Sequence, residues 1–165
     1  MTAESTRDWV KAVLERWEAP LVSYARGILG DLERSRDVCQ ETFLELCRQP
    51  REKVEPRLRP WLFTVCRNKA LDVLRKEKRM TAIDTDKQLE SPEPAPGAAT
   101  ENRESVGQVL AAVAKLPERQ REVLRLKFQS GLTYREIGEI TGDSVSNVGV
   151  LLHNALKTLR GTVTL

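Results

Sequence analysis

Residues 133–159, TYREIGEITGDSVSNVGVLLHNALKTL, constrain this chain more than any other stretch. Thr133 and Glu136 have the spacing of a capping box, which starts a helix at about Tyr134. Gly142, just after Thr141, supplies the left-handed residue that ends it. Asp143 and Ser144 then offer side-chain oxygens to the free N–H groups of a second helix. That helix carries Val148, Leu151, Leu152, Ala155, Leu156 and Leu159 at helical spacing, so one stripe is expected to be buried. Its other side carries Ser146, Asn147, Gly149, Val150, His153, Asn154 and Lys157. Two short helices about a Gly turn have the helix-turn-helix shape. In that shape the first residues of the second helix reach base edges in a major groove. A plain helical hairpin in a bundle core is the other reading these residues allow. Gly149 bears on the choice. Inside a helix it costs roughly 1 kcal/mol against Ala, a cost without a reason unless the backbone must approach something closely.

The 165 residues suffice for one ordinary domain or two small ones. No long apolar run is present, so no membrane insertion is expected, and MTAESTRDWV has no secretory pattern. Cys39, Cys47 and Cys66 are odd in number and form no C-x-x-C pair, which points to reduced thiols in a cytoplasm. All three sit among helix-patterned apolar residues and are expected in the core. Charge is unevenly spread. Residues 1–80 hold 17 Lys and Arg against 13 Asp and Glu, residues 81–103 hold 2 against 5, and residues 104–165 hold 8 against 6. Two basic blocks flank an acidic connector, the pattern of two modules that face nucleic acid.

In chain order, Ser5 and Asp8 have capping-box spacing for a first helix to about Trp17, and Pro20 is expected to kink or restart it. The pattern continues to Leu29 and breaks at Gly30. A second helix spans about Arg34 to Arg48, with Val38, Thr42, Phe43, Leu46 and Cys47 inward. Asp37, Gln40, Glu41 and Glu45 lie on or near its opposite face, where a solvated surface is the plain reading. Pro50, Pro56 and Pro60 argue for a loop over residues 48–60, made basic by Arg48, Arg51, Lys53, Arg57 and Arg59. A third helix runs from about Pro60 to Lys78. Trp61, Leu62, Val65, Cys66, Ala70, Val73 and Leu74 are expected inward, and Trp61 is read as packing rather than base stacking. Arg67, Lys69, Arg75, Lys76, Lys78 and Arg79 make this helix basic, a phosphate-binding footprint. From Thr81 to about Asn102, SPEPAPGAATEN and its flanks have almost nothing to bury and form a flexible tether. A fourth helix, about Glu104 to Lys115, carries Val106, Val109, Leu110 and Val113. A fifth follows Pro117, carries Val123, Leu124, Leu126 and Phe128, and ends near Gly131. No segment alternates with period two, so no sheet is expected.

Three of these segments resemble one family. WLFTVCRNKALDVLRKEKR, residues 61–79, and DVCQETFLEL, residues 37–46, resemble the second domain of bacterial sigma factors. LPERQREVLRLKFQSGLTYREIGEITGDSVSNV, residues 116–148, resembles their fourth domain. Order and spacing are similar to the extracytoplasmic-function (ECF) subfamily. The resemblance implies an all-α chain of two small helical domains, at 1–80 and 104–165, joined by a flexible linker over 81–103. It also implies a subunit that binds RNA polymerase core, through the clamp helices of the largest subunit and the flap, and directs it to promoter DNA. On that resemblance Asp37, Gln40, Glu41 and Glu45 fall in the core-docking segment, with Phe43 as core support. Arg67, Asn68, Asp72, Arg75 and Lys76 match the helix that meets the minus-ten element, with orientation of Arg75 or Lys76 within the helix as the other reading of Asp72. Arg57 and Arg59 lie in the segment that cradles a flipped base.

Arg135, Ser144, Ser146, Asn147, Val150, His153 and Lys157 match the minus-thirty-five reader. Asn147 suits adenine and Val150 a thymine methyl. This helix departs from the common pattern, because Gly149, Val150 and Leu151 stand where many relatives carry Lys or Arg. With little chain outside the two domains, control is expected from a separate protein, an anti-sigma factor covering the docking surface. A stand-alone helix-turn-helix regulator is the competing reading, and it expects a dimer. No Gly-rich phosphate loop, Ser/His/Asp set or metal-ligand cluster is present, so no catalytic residue, metal or cofactor is expected.

Overall fold

The computed structural model describes the backbone of residues 3–83 and 101–162, and the side chains of residues 5–81 and 106–162. All regular structure among them is helical, and the chain divides into two compact units. Most of the tether expected at 81–103 lies outside the described residues.

The N-terminal unit begins with α1, Ala3–Leu29, one helix that passes through Pro20 without a break. Ser5 lies inside it, so the helix begins before the start expected at Ser5. A Pro in a helix interior costs about 3 kcal/mol. Here packing overrides it: Val13, Trp17, Leu21, Tyr24, Ala25 and Leu29 are all buried along one stripe. Helix α2, Leu32–Arg48, is capped by Asp31, whose carboxylate accepts from the Glu33 N–H at 3.0 Å. It buries Ser35, Val38, Cys39, Thr42, Phe43 and Leu46. The residues 48–60 are not a loop. Pro50 precedes the short helix α3, Arg51–Val54, Pro56 starts a 3-10 turn, Glu55–Arg57, and Pro60 lies in the first turn of α4, Leu58–Ile83. Each Pro stands where a helix start leaves its N–H unneeded, so the three prolines punctuate helices rather than exclude them.

Phe63 is the centre of this unit and was not among the residues expected inward. It is fully buried and meets Trp17 and Tyr24 edge-on, with ring centroids 6.1 and 5.4 Å away. Leu62, Cys66 and Ala70 join it, whereas Trp61, Val65, Val73 and Leu74 are only half-buried. The cysteines divide. The Cys39 and Cys66 thiols are buried and point at the α1 carbonyls of Glu18 and Leu21, at 3.9 and 3.8 Å. Burial pushes both thiols up to about 12. Cys47, expected inward, is exposed instead, because it lies one position past Leu46 and the burying stripe has turned away.

The C-terminal unit consists of α5, Glu101–Ala114, α6, Glu118–Phe128, α7, Tyr134–Thr141, and α8, Val145–Thr162. Its core joins Ala112, Leu116, Val123, Leu124, Leu126, Leu132, Ile137, Val148, Leu152 and Ala155. The α5 stripe expected to pack does not. Val106, Val109 and Leu110 are exposed, and so is Phe128 at the end of α6.

Candidate functional site

The helix pair forms as its sequence dictates. The Thr133 hydroxyl accepts from the Glu136 N–H at 3.1 Å, and the Glu136 carboxylate accepts from the Thr133 N–H at 3.0 Å. Gly142 ends α7 at φ 83°, a conformation that favours glycine. The Ser144 hydroxyl then accepts from the Asn147 N–H at 3.0 Å and opens α8. With Val148, Leu152 and Ala155 buried, the outer face of α8 presents Ser146, Val150, His153 and Lys157 in one row at i, i+4, i+7 and i+11. Ser144 and Arg135 are exposed too. Asn147 stands apart from the row: it is half-buried, and its amide Nδ2 donates to the Asp143 carboxylate at 2.9 Å. Val145, also exposed at the start of α8, is an apolar group that spacing alone did not single out.

On α2 the i, i+3, i+4 spacing brings Asp37, Gln40 and Glu41 onto one exposed face. Glu45 lies aside, half-buried and bonded to Arg48 and Gln49, each at 3.3 Å. Leu44 continues the row and is 58 % exposed, so the face is acidic with an apolar end. The same spacing rule would have found it.

On α4, Asn68, Arg75 and Lys76 are exposed, and Arg79 extends their face. Asp72 lies in this face and accepts from Arg75 at 3.2 Å. Arg67 is half-buried. Trp61 heads the row, at helical register with Asn68 and Asp72, and keeps part of its ring exposed. In the preceding segment Arg57 is exposed, whereas Arg59, in the first turn of α4, is half-buried with its guanidinium 5.7 Å from the Trp17 ring centroid. Arg51 is held by Glu55 through two bonds of 3.0 and 3.1 Å, which keeps that carboxyl below its usual range. Arg34 ties α2 to the basic end of α4 through Glu77. Among the described residues, no group of three His, Cys, Asp or Glu side chains could hold a metal, and no helix is long and apolar enough to cross a membrane.

An exposed helix-turn-helix in one unit, with a helical bundle bearing an acidic face and a basic face in the other, defines a DNA-binding protein of the sigma-70 class. Residues 13–80 match Sigma-70 region 2, and residues 107–159 match Sigma-70, region 4. The ECF RNA polymerase sigma factor ShbA of Streptomyces griseus is 33 % identical over 142 residues, which cover 82 % of this chain and 72 % of that protein. SigL of Mycobacterium tuberculosis, also an ECF sigma factor, is 29 % identical over 159 residues, 93 % of this chain and 88 % of its own length. Among solved structures, the sigma factor RpoE of Bartonella quintana, in complex with the anti-sigma factor NepR, shares the fold. Its TM-score is 0.69 at 21 % identity, covering 92 % of this chain and 94 % of that one. CnrH in complex with the cytosolic domain of CnrY gives 0.62 at 21 % identity, covering 94 % and 87 %. The chain belongs to the ECF family of RNA polymerase sigma factors. It binds RNA polymerase and directs transcription initiation at promoters.

Proposed function

We propose that this sigma factor divides its work among three helix faces. The acidic row of α2, Asp37, Gln40 and Glu41, with Glu45 beside it, docks on the basic clamp helices of the largest polymerase subunit, and Leu44 adds an apolar contact at its end. The basic face of α4, with Arg67, Asn68, Arg75 and Lys76, holds the minus-ten strand, and Arg57 and Arg59 bound the segment that receives a flipped base. The row on α8, with Arg135 and Ser144 beside it, reads the minus-thirty-five element in the major groove. The observation that carries this reading is registry. Asp37, Gln40 and Glu41 on α2, Asn68, Arg75 and Lys76 on α4, and Ser146, Val150, His153 and Lys157 on α8 each fall into one solvent-facing row.

The exposed apolar stripe of α5, Val106, Val109 and Leu110, suits an apolar partner surface, either from the polymerase flap or from an anti-sigma factor. Structural neighbours bound to anti-sigma factors support the second partner. The site of action is the cytoplasm, where polymerase and promoter meet. A stand-alone regulator would have no use for a region 2 unit, so that alternative is set aside.

The test is reconstitution. Core polymerase with the pure chain is expected to start transcripts at discrete genomic promoters. Reversing the α2 row by Asp37→Lys with Glu41→Lys is expected to weaken core binding at least about 10-fold, as unlike charges become like. Unchanged core affinity in that variant would remove α2 as the docking helix.

A further inference from the structure

Three elements of the C-terminal unit meet at one carboxylate. Asp143 lies in the turn between α7 and α8, and its side chain is only 8 % exposed. A carboxylate taken out of water in this way needs partners. One is the Arg119 guanidinium from the first turn of α6, which bonds Asp143 Oδ1. The other is Asn147, whose Nδ2 reaches the same oxygen at 2.9 Å. Nothing in the spacing of residues 119, 143 and 147 announces this link, because Arg119 is 24 residues from Asp143.

We infer that Asp143 and Arg119 are positioning residues for base recognition, acting through Asn147. The inference rests on the reading of α8 as the minus-thirty-five reader. An ionised carboxylate can only accept hydrogen bonds, so the Asn147 atom turned toward it is the NH2 group. That fixes which way the amide faces. Its oxygen and its second N–H are left together for another partner, and this acceptor–donor pair is what an adenine edge binds. The backbone is fixed as well, since the Ser144 hydroxyl holds the Asn147 N–H at the third position of α8, in the turn that meets base edges. Arg119, itself 63 % exposed, offsets the charge of Asp143, which would otherwise repel nearby phosphates.

The test uses the full chain with core polymerase and a pool of random-sequence duplex DNA. Bound DNA is sequenced, and base preference is measured at each position of the selected motif. Asn147→Ala is expected to relax one A·T position by roughly 10-fold, the discrimination one bidentate contact supplies. Asp143→Ala is expected to relax the same position to a similar degree and leave the others in place. Asp143→Asn, which still offers an oxygen to Asn147, is expected to restore most of that preference, and Arg119→Ala to lose part of it. Asp143→Ala leaving that position intact while Asn147→Ala relaxes it would overturn the positioning role. So would a loss spread evenly over every upstream position in Asp143→Ala, Asp143→Asn and Arg119→Ala, since that pattern marks a merely structural bridge. No upstream motif selected by the unaltered chain would instead sink the assignment of α8, and the positioning role with it.

Discussion

Gly138 and Gly149 lie inside the helices of the helix-turn-helix, and the structure assigns them opposite consequences. Helix propensity alone says that Ala at either site should stabilise the fold by about 1 kcal/mol. At Gly138, in α7, a Cβ would sit 2.6 Å from the backbone carbonyl oxygen of Asp143. Ordinary contact begins near 3.4 Å, so the two segments would have to part by roughly 0.8 Å. Neither segment is free to give. The Gly142 N–H donates to the Gly138 carbonyl at 2.8 Å, and the Asp143 side chain is held by Arg119 and Asn147. Overpacking of this kind typically costs 1–3 kcal/mol, and a backbone clash belongs at the upper end. Less the propensity gain, Gly138→Ala is expected to lose about 1–2 kcal/mol. For a unit of this size that is a fall in Tm of roughly 5–10 °C. At Gly149, in α8, a Cβ would meet only the Tyr134 ring carbon Cε2 at 3.7 Å, an ordinary contact. Gly149→Ala is therefore expected to raise Tm by about 5 °C. Calorimetric melting of both variants checks the pair. Equal or greater stability in Gly138→Ala would refute the close approach of α7 to the turn, and with it the geometry given for the helix pair.

Gly149→Ala is also expected to bind promoter DNA less well in holoenzyme although it folds more stably, and gel-shift titration beside the melt would reveal any failure of the two effects to part. One thiol, Cys47, is expected to react with a disulfide reagent in the native protein and all three in denaturant, since Cys39 and Cys66 are buried and their thiols are raised to about 12. The folded pKa of those two thiols lies above the unfolded value near 9, so their contribution to stability is full below about pH 9 and declines as pH rises from 9 toward 12. A Cys39→Ala, Cys66→Ala double variant should lose that part of the alkaline slope in urea titrations. Phe63→Ala is expected to cost the N-terminal unit about 3–5 kcal/mol, read as a drop in urea midpoint at constant m-value. Lys157→Ala should reduce the slope of log affinity against log salt by about 0.9 if it holds one phosphate, measured with holoenzyme on promoter DNA.

How much of this was legible in the sequence depended on whether a signal was local. The capping box at Thr133 and Glu136, the left-handed Gly142 and the apolar stripe of α8 are short-range features, and each stands where its residues put it. The rows on α2 and α4 were legible for the same reason, because helical spacing alone aligns Asp37 with Gln40 and Glu41. Prolines misled wherever tertiary packing or helix starts absorbed them: Pro20 inside α1, and Pro50, Pro56 and Pro60 at three helix starts. Apolar period was also insufficient to say what covers a stripe. Val106, Val109 and Leu110 have the pattern of a buried face and are exposed, while Phe63 is buried against rings 46 and 39 positions earlier in the chain. The link from Arg119 to Asp143 and Asn147 depends on how α6 lies against the turn, which no local pattern encodes.

The distribution of charge has a consequence for how the two units act together on the proposed assignment. The row on α8 carries two cations, Lys157 and, at its end, Arg160, with Arg135 exposed on α7. Each phosphate contact contributes through counterion release, so a reader with so few of them holds duplex DNA weakly by itself. Base contacts by Ser146, Asn147 and Val150 add discrimination, not a large share of affinity. The basic face of α4, with Arg75, Lys76, Lys78 and Arg79, is the stronger electrostatic surface. Once α2 is docked on polymerase and α4 is on DNA, the second reader is tethered. Its encounter with the upstream element is then governed by an effective concentration on the order of millimolar rather than by free diffusion. A weak reader becomes adequate under that condition, and only under it. The Gly, Val and Leu at positions 149 to 151 add no charge to α8, which on that assignment favours promoter binding by the assembled holoenzyme over binding of stray DNA by the free subunit.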